Sequence, residues 1–341
     1  MRKSDCQRSP ATHLQQAGAR RYLGETSFAS GRLKMSVAFR PARADELHRA
    51  QELIVSSIND LTERHGFGAM ASVRPADFQV SYFNEDPGGF WIAEDAGEIV
   101  GTAFSWVCGD LWFLAELFIA PRMQGSGIGR ELLIRTFRHA DQAGANIRAL
   151  ITFTFNTVSQ GLYMRHGMFP RLPVYMFSAD RKAIRNTGAQ TRLKFRKAEA
   201  CGSHIATLAA LDTSALGVSR EKHHNFLLND PTMNGFLLYE DDDCIGYAYV
   251  ASTGHIGPLA VTKRDAMTPA VGAALRIAAE GDSDQVSAFL QETAKPRWRS
   301  PPIAACGSPF RWCSYLTESS ETGGGIFRVI LGSCEKGGCQ G

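Results

Sequence analysis

The 341-residue sequence predicts an α/β protein built on a mixed sheet, with one complete domain followed by a second, truncated copy of the same scaffold. Three observations carry that expectation. A strand-like run, LWFLAELFIA (111–120), feeds a glycine loop that opens into a helical pattern. A β-rich segment and a further helix follow in order. The second half then repeats the opening of the first: strand, helix, hairpin, strand, helix.

The elements can be justified in turn. A strand starts at Val37 and turns at Pro41, and Asp45 is positioned to cap a helix. FWIAEDAGEIVGTAFSWV reads as two strands, 90–94 and 98–107, around a turn at Asp95, Ala96 and Gly97. In the next strand, period-two alternation sets Glu116, Phe118 and Ala120 on one face and Ala115, Leu117 and Ile119 on the other. Pro121 ends it, and Gly125, Gly127 and Gly129 follow at alternate positions. Glycine reaches φ > 0 freely and lets backbone approach a ligand. A glycine loop at a helix start points N–H groups and the positive end of the dipole at one spot, a cradle for phosphate or pyrophosphate. The dinucleotide fingerprint fails for want of a ribose-binding acid, and the Walker pattern fails for want of a Lys-Ser/Thr pair. Leu132, Leu133, Phe137 and Ala140 share one side of a helix over 129–143, capped by Gly144. RALITFTF (148–155) is a buried strand ended by Asn156, and a second helix covers 158–166. LPVYMFSA then closes the sheet as its last strand.

The spacing Arg122-x-x-Gly125-x-Gly127-Ile128-Gly129, followed by Asn156, Leu162-Tyr163 and Gly167-Met168, resembles the GCN5-related N-acetyltransferase (GNAT) family over about residues 36–180. The resemblance implies the GNAT acyl-CoA N-acyltransferase fold and acetyl-CoA as co-substrate. It implies acetyl transfer to a primary amine by direct attack in a ternary complex. The loop residues Arg122, Met123, Gln124, Gly125, Ser126, Gly127, Ile128, Gly129 and Arg130 would hold the cofactor pyrophosphate, with Asn156 in the same set. Leu117, Phe118 and Ile119 would bond the pantetheine arm through their main chain.

An amine with a pKa of about 10 must lose a proton before it attacks a thioester, so a base or a water relay is required. Glu116, on an apolar strand, is the candidate base; a solvent-facing glutamate with water as the base fits equally well. Tyr163 is the candidate acid for the leaving thiolate, against the plainer reading of a ring packed on the sheet. A non-catalytic acyl-CoA-binding or sensor module is the alternative function. Acceptor contacts, to a small-molecule or protein amine, would come from 57–83 and 106–112. There Asp60, Glu63 or Asp110 could attract a cation or simply be solvated acids.

Residues 181–191 read as a linker and 192–294 as a degenerate GNAT-like domain, suited to completing a substrate cleft or to homodimer contacts. Aligned with the first half, Ala266, Thr268 and Ala270 replace the three glycines, and Pro269 appears among them. The adjacent His223 and His224 read as a surface helix, and no metal site is assigned. The chain from 295 to 341 lacks an apolar period and reads as an aberrant or unstructured tail from a reading-frame error or unrelated sequence. Residues 1–34 read as an extension ahead of a start at Met35, a transit peptide being the other option. The net charge of +3 is concentrated in these two ends, leaving 35–295 at −4 and arguing against nucleic acid as a partner. Eight scattered cysteines without a C-x-x-C pair support neither a zinc site nor a disulfide framework, and a reducing cytoplasm is expected. No apolar run reaches membrane-span length.

Overall fold

Strand β1 (Ala38–Pro41) leads through a 3-10 turn, Ala44–Glu46, into helix α1 (Leu47–Arg64) in the computed structural model, which describes residues 37–291 and 311–316. Asp45, the expected cap, lies inside the turn. Glu46 fixes the entry instead, because its buried carboxylate needs partners. It accepts from Arg40 at 2.6 and 2.7 Å and from the Arg43 side chain and amide at 2.7 and 2.9 Å.

Helix α2 (Asp77–Glu85), β2 (Phe90–Asp95) and β3 (Glu98–Cys108) follow. The β2–β3 turn lies where the sequence puts it, with φ of 50° at Ala96 and 85° at Gly97. The first half continues with β4 (Leu111–Ile119), α3 (Ile128–Gln142), β5 (Ile147–Phe153), α4 (Thr157–Arg165) and β6 (Phe169–Asp180). One core cluster, with Leu47, Ala50, Tyr82, Phe104 and Trp106, lies between the sheet and α1–α2. Two others, with Trp112, Leu133 and Leu150 and with Val100, Ile128 and Leu132, lie under α3. The sheet is thus covered on both faces.

The segment read as a linker holds helix α5 (Arg181–Thr187). Asp180 caps it by accepting from the Ala183 amide at 3.1 Å, Gly188 ends it in the left-handed region, and Ile184 is buried in the second half's core. A single apolar residue in a short polar run carries no visible period, so the pattern alone misses this helix. The second half comprises β7 (Lys194–Lys197), α6 (Gly202–Leu216), α7 (Glu221–Asn229), β8 (Met233–Glu240), β9 (Asp243–Ala251), β10 (His255–Val261), α8 (Met267–Glu280) and β11 (Gln285–Gln291).

Strand β12 (Arg311–Leu316) lies in the stretch to which the sequence assigns no element. The sheet order is β1-β2-β3-β4-β5-β12-β6-β11-β10-β9-β8-β7. β6 therefore does not close its own half. It lies against β11 through 174–180, while β12 from the second half lies against β5. The order is symmetric about the β12–β6 boundary, where Leu316 faces Phe169 and Arg311 faces Tyr175. Each half completes its sheet with a strand of the other. Local pattern predicts that 172–179 is a strand but not which edge receives it, because two equivalent edges exist in one chain. The readings of residues 1–34 and of most of 295–341 lie outside the described residues.

Candidate functional site

β4 and β5 run parallel and pair only from Leu111↔Ile147 to Leu114↔Leu150. Beyond that point β4 stays with β3, and β5 turns to β12. The separation begins where the β3–β4 register shifts between Phe104 and Ser105, opposite Glu116 and Leu114, so Ala115 is the extra residue of a β-bulge. The bulge corrects the expected alternation. Ala115 packs with Phe113 on the α1–α2 face, whereas Leu117 and Ile119 lie under α3. Glu116 remains opposite Leu117 and Ile119, as its sequence position suggests.

A wedge thus opens along 115–119. The Ala120 amide donates to the Val100 carbonyl at 2.9 Å, which makes that residue and Phe118 the members of the ladder bonded to β3. Phe118 therefore has its main-chain groups committed, against expectation, and Leu117 and Ile119 turn theirs to the wedge. The Ile119 carbonyl already accepts from the Ser57 hydroxyl at 3.1 Å and from Gln124 Nε2 at 3.3 Å.

The glycine loop stands at the wide end of this wedge. Gly125 and Gly127 have φ of 79° and 91°, and a Cβ on either would meet nothing within 4 Å. These glycines are needed for their backbone angle, and the space over them is open. The first intrahelical bond of α3 is Glu131 N–H to the Gly127 carbonyl at 3.2 Å, so the amides of Ile128, Gly129 and Arg130 precede it. Ser126 Oγ donates to the Met123 carbonyl at 2.6 Å and Met123 is buried, so this pair anchors the loop from beneath. Arg122 and Arg130 are exposed at its rim, Arg130 beside Glu131 at 3.1 Å. A Cβ on Gly129 would lie 3.6 Å from Ile119 and 3.7 Å from Leu162, so the loop, β4 and α4 converge there. The cradle fits a pyrophosphate: preset amides, a helix N-terminus, flanking guanidinium groups and no side chain over two glycines.

Asn156 caps α4, its Oδ1 accepting from the Ser159 amide at 3.2 Å. Tyr163, one residue past Leu162, is buried in the cluster of Trp112, Leu114, Leu133 and Leu150. Glu116 is half-buried, and Gln79 Nε2 on α2 donates to it at 2.7 Å. Above the wedge, Asn59 pins the α1–α2 loop by accepting from the Met70 and Ala71 amides at 2.8 Å. His65 and Phe67 reach across to Phe155 at 4.8 and 5.0 Å between ring centroids. Sequence reasoning missed Gln79, Asn59 and the Phe155 contacts, since a helical Gln or Asn carries no motif. Asp60 is paired with Arg64 at 2.7 Å, and Asp110 accepts from the Asn146 amide at 2.8 Å, so both have structural work.

Ser105, His139 and Asp86 connect like a nucleophilic triad, at 3.1 Å and 2.9 Å, but Ser105 is 0% exposed. The arrangement ties α3 to the chain ahead of β2. Ser105→Ala is expected to leave turnover within about twofold of the parent, since a buried hydroxyl reaches no substrate; steady-state kinetics check this.

In the second half the space between α6, α7 and β9, which matches the α1–α2 side of the first, is filled by an ionic network. Arg220 grips Asp212 bidentately at 2.7 and 2.8 Å, His224 bridges Asp212 at 3.0 Å and Tyr249 at 2.9 Å, and Tyr247 bonds both Arg220 and Asp212. Burial opposes the Asp212 charge, yet His224 and Arg220 hold its carboxyl well below the usual range. His223 and His224 are thus buried, correcting the surface-helix reading. They do point apart: His223 packs on Trp106 and Tyr82 at 4.4 and 5.0 Å, with Nδ1 3.7 Å from Cys108 Sγ. Among the described residues no helix is long and apolar enough to cross a membrane.

Residues 57–168 match the acetyltransferase (GNAT) family model. The fold is similar to a GCN5-related N-acetyltransferase from Sphaerobacter thermophilus, with 15% identity, TM-score 0.55, and 82% of this chain and 95% of that one covered. One from Kribbella flavida shares 18% identity at TM-score 0.51, over 82% of this chain and 70% of that one. A tandem GNAT protein from the clavulanic acid biosynthesis pathway shares 14% identity at TM-score 0.50, over 84% of this chain and 99% of that one.

Proposed function

Because residues 57–168 form a domain of the GNAT acetyltransferase family, we propose that the protein transfers an acetyl group from acetyl-CoA to a primary amine in a ternary complex, using its first half. The observation that carries this reading is the convergence of the wedge and the glycine cradle at Ile119, Gly129 and Leu162. Gly125, Gly127 and the amides of Ile128 to Arg130 would hold the pyrophosphate, with Arg122 and Arg130 alongside. The main-chain groups of Leu117 and the amide of Ile119 would hold the pantetheine arm.

When bound, acetyl-CoA supplies the thioester carbonyl and a thiol leaving group. Glu116 would take the proton of the incoming ammonium, directly or through one water, and Gln79 Nε2 fixes the orientation of its carboxylate. Tyr163 would give its phenolic proton to the departing sulfur. The aromatic rim of His65, Phe67 and Phe155 would exclude water from the wedge mouth. The second half, with its ionic network and no glycine cradle, would act through contact with α2 rather than through chemistry.

Glu116→Gln is expected to lower kcat about 100-fold near neutral pH, with the loss shrinking as pH rises and the free amine becomes common. Tyr163→Phe should lower kcat by a similar factor with little change in acetyl-CoA affinity. Rates against pH and calorimetric binding test both, and an acetyl-CoA affinity that falls in step with kcat in Tyr163→Phe would count against the acid role.

A further inference from the structure

The second half has a wedge of its own. β10 and β11 are parallel and pair only through His255↔Ser287 and Ile256↔Ala288. Where they part lies a cavity of about 70 Å³, walled by Phe177 of β6, Ile256 and Leu259 of β10, and Val271 and Leu275 of α8. The helix that opens beside it starts with Ala266, Met267 and Thr268, without a left-handed glycine, and Met267 forms part of the wall. Among the described residues no lysine or arginine lines the cavity, so none of them offers a charge to a phosphate or a carboxylate there.

Among the described residues three polar side chains line this largely apolar space, those of Ser178, His255 and Ser287. His255 is 8% exposed and lines the cavity, its Nδ1 3.0 Å from Ser287 Oγ and its ring edge-on to Phe289 at 5.6 Å. Nε2 has no hydrogen-bond partner among the described residues. It lies over Gly257, where a Cβ would come 3.7 Å from it. Burial pushes the imidazole down to about 4, so it is neutral at physiological pH, with one nitrogen donating and the other accepting. A ligand group that bonds this nitrogen adds a hydrogen bond to the burial of its hydrocarbon body.

We propose that this cavity binds a small, uncharged ligand with a short hydrocarbon body and one hydroxyl or carbonyl group, which bonds His255 Nε2 while the hydrocarbon fills the space between α8 and β10. The chemistry of the site follows from its walls. Apolar surface favours hydrocarbon by desolvation, and the few neutral polar atoms, His255 Nε2 foremost, accept or donate one hydrogen bond and give a charge no partner. The volume is about half that of the 150 Å³ cavity known to accept benzene, which limits the buried body to a few carbons. The site is distinct from the glycine cradle, and its occupancy does not depend on acetyl transfer.

The test is a titration of the isotope-labelled full chain with propan-2-ol, followed by NMR, with propane as the apolar control. Saturable shifts are expected in the His255 ring and in 256–259 and 286–290, with the alkane binding about tenfold more weakly for want of the hydrogen bond. His255→Phe should bring the alcohol to the affinity of the alkane. Val271→Phe should abolish both by filling the cavity; if it does not fold, the His255→Phe titration and the shift map decide alone. The proposal is overturned if these residues show no saturable shift with either probe, or if His255→Phe binds the alcohol as tightly as the parent.

Discussion

The double variant Gly125→Val/Gly127→Val is expected to lose acetyl-CoA affinity by a factor of about 30 to 1000. Both positions sit at positive φ, 79° and 91°, in the left-handed region. A side chain there costs about 1–2 kcal/mol per residue, and each 1.4 kcal/mol is tenfold in affinity. No neighbour crowds a Cβ at either site, so the substitution strains the backbone without a clash in the free protein. The loop then either abandons its angles, and the amides of Ile128 to Arg130 lose their common aim, or keeps them at the expense of stability. Gly144→Val is the control. It carries the same strain, φ 69° with open space around it, at the far end of α3. It should lower the melting temperature and leave affinity unchanged. Calorimetry with acetyl-CoA and thermal melts of the three proteins separate these outcomes.

Arg220→Ala should be the most destabilising single change in the second half. It strands the Asp212 carboxylate, which is 0% exposed, and removes two of its charge-assisted bonds. Removing one partner of a buried pair costs about 3–5 kcal/mol, which for a chain of this size lowers the melting temperature by roughly 6–20 °C. The pH dependence has a definite sign. Asp212 has a depressed folded pKa, so its contribution is complete above the unfolded value of about 3.9 and is lost as pH falls below it. His224 is also depressed, chiefly by burial, so acid costs stability from about pH 6.5 downward. Melts between pH 7 and pH 3 should therefore show parent stability falling monotonically. In Asp212→Asn the step below pH 4 should be smaller. A parent melting temperature that rises on acidification would contradict the assignment.

The glycine cradle of the first half and its flanking elements were legible because their geometry is local. Three glycines at alternate positions, a proline that stops a strand and an Asn-x6-Tyr run all lie within one strand–helix–strand–helix unit, where spacing determines geometry. What stayed hidden depends on partners distant in sequence. The bulge at Ala115 arises from pairing with β3, and the wedge is visible only once both neighbours of β4 are known. Gln79 acquires a role because α2 lies over Glu116, 37 residues away. Phe118 looked equivalent to Leu117, and only the ladder bond at Ala120 shows which of them faces the wedge. The burial of His223 and His224 follows from Asp212 and Trp106, and neither pairing leaves a sequence period. The exchange of β6 and β12 between halves is the extreme case: each strand has the expected composition and an unexpected neighbour.

The central claim is that the first half turns over acetyl-CoA on an amine. The direct measurement is thiol release from acetyl-CoA across a panel of small amines, amino acids and peptide N-termini, with the parent, Tyr163→Phe and Gly125→Val/Gly127→Val in parallel. The account predicts amine-dependent release by the parent on at least one acceptor class, reduced about 100-fold by Tyr163→Phe. It predicts lost saturation by acetyl-CoA in the loop variant. Tight acetyl-CoA binding with no amine-dependent release on any acceptor would contradict it, and would make the first half a cofactor-binding module.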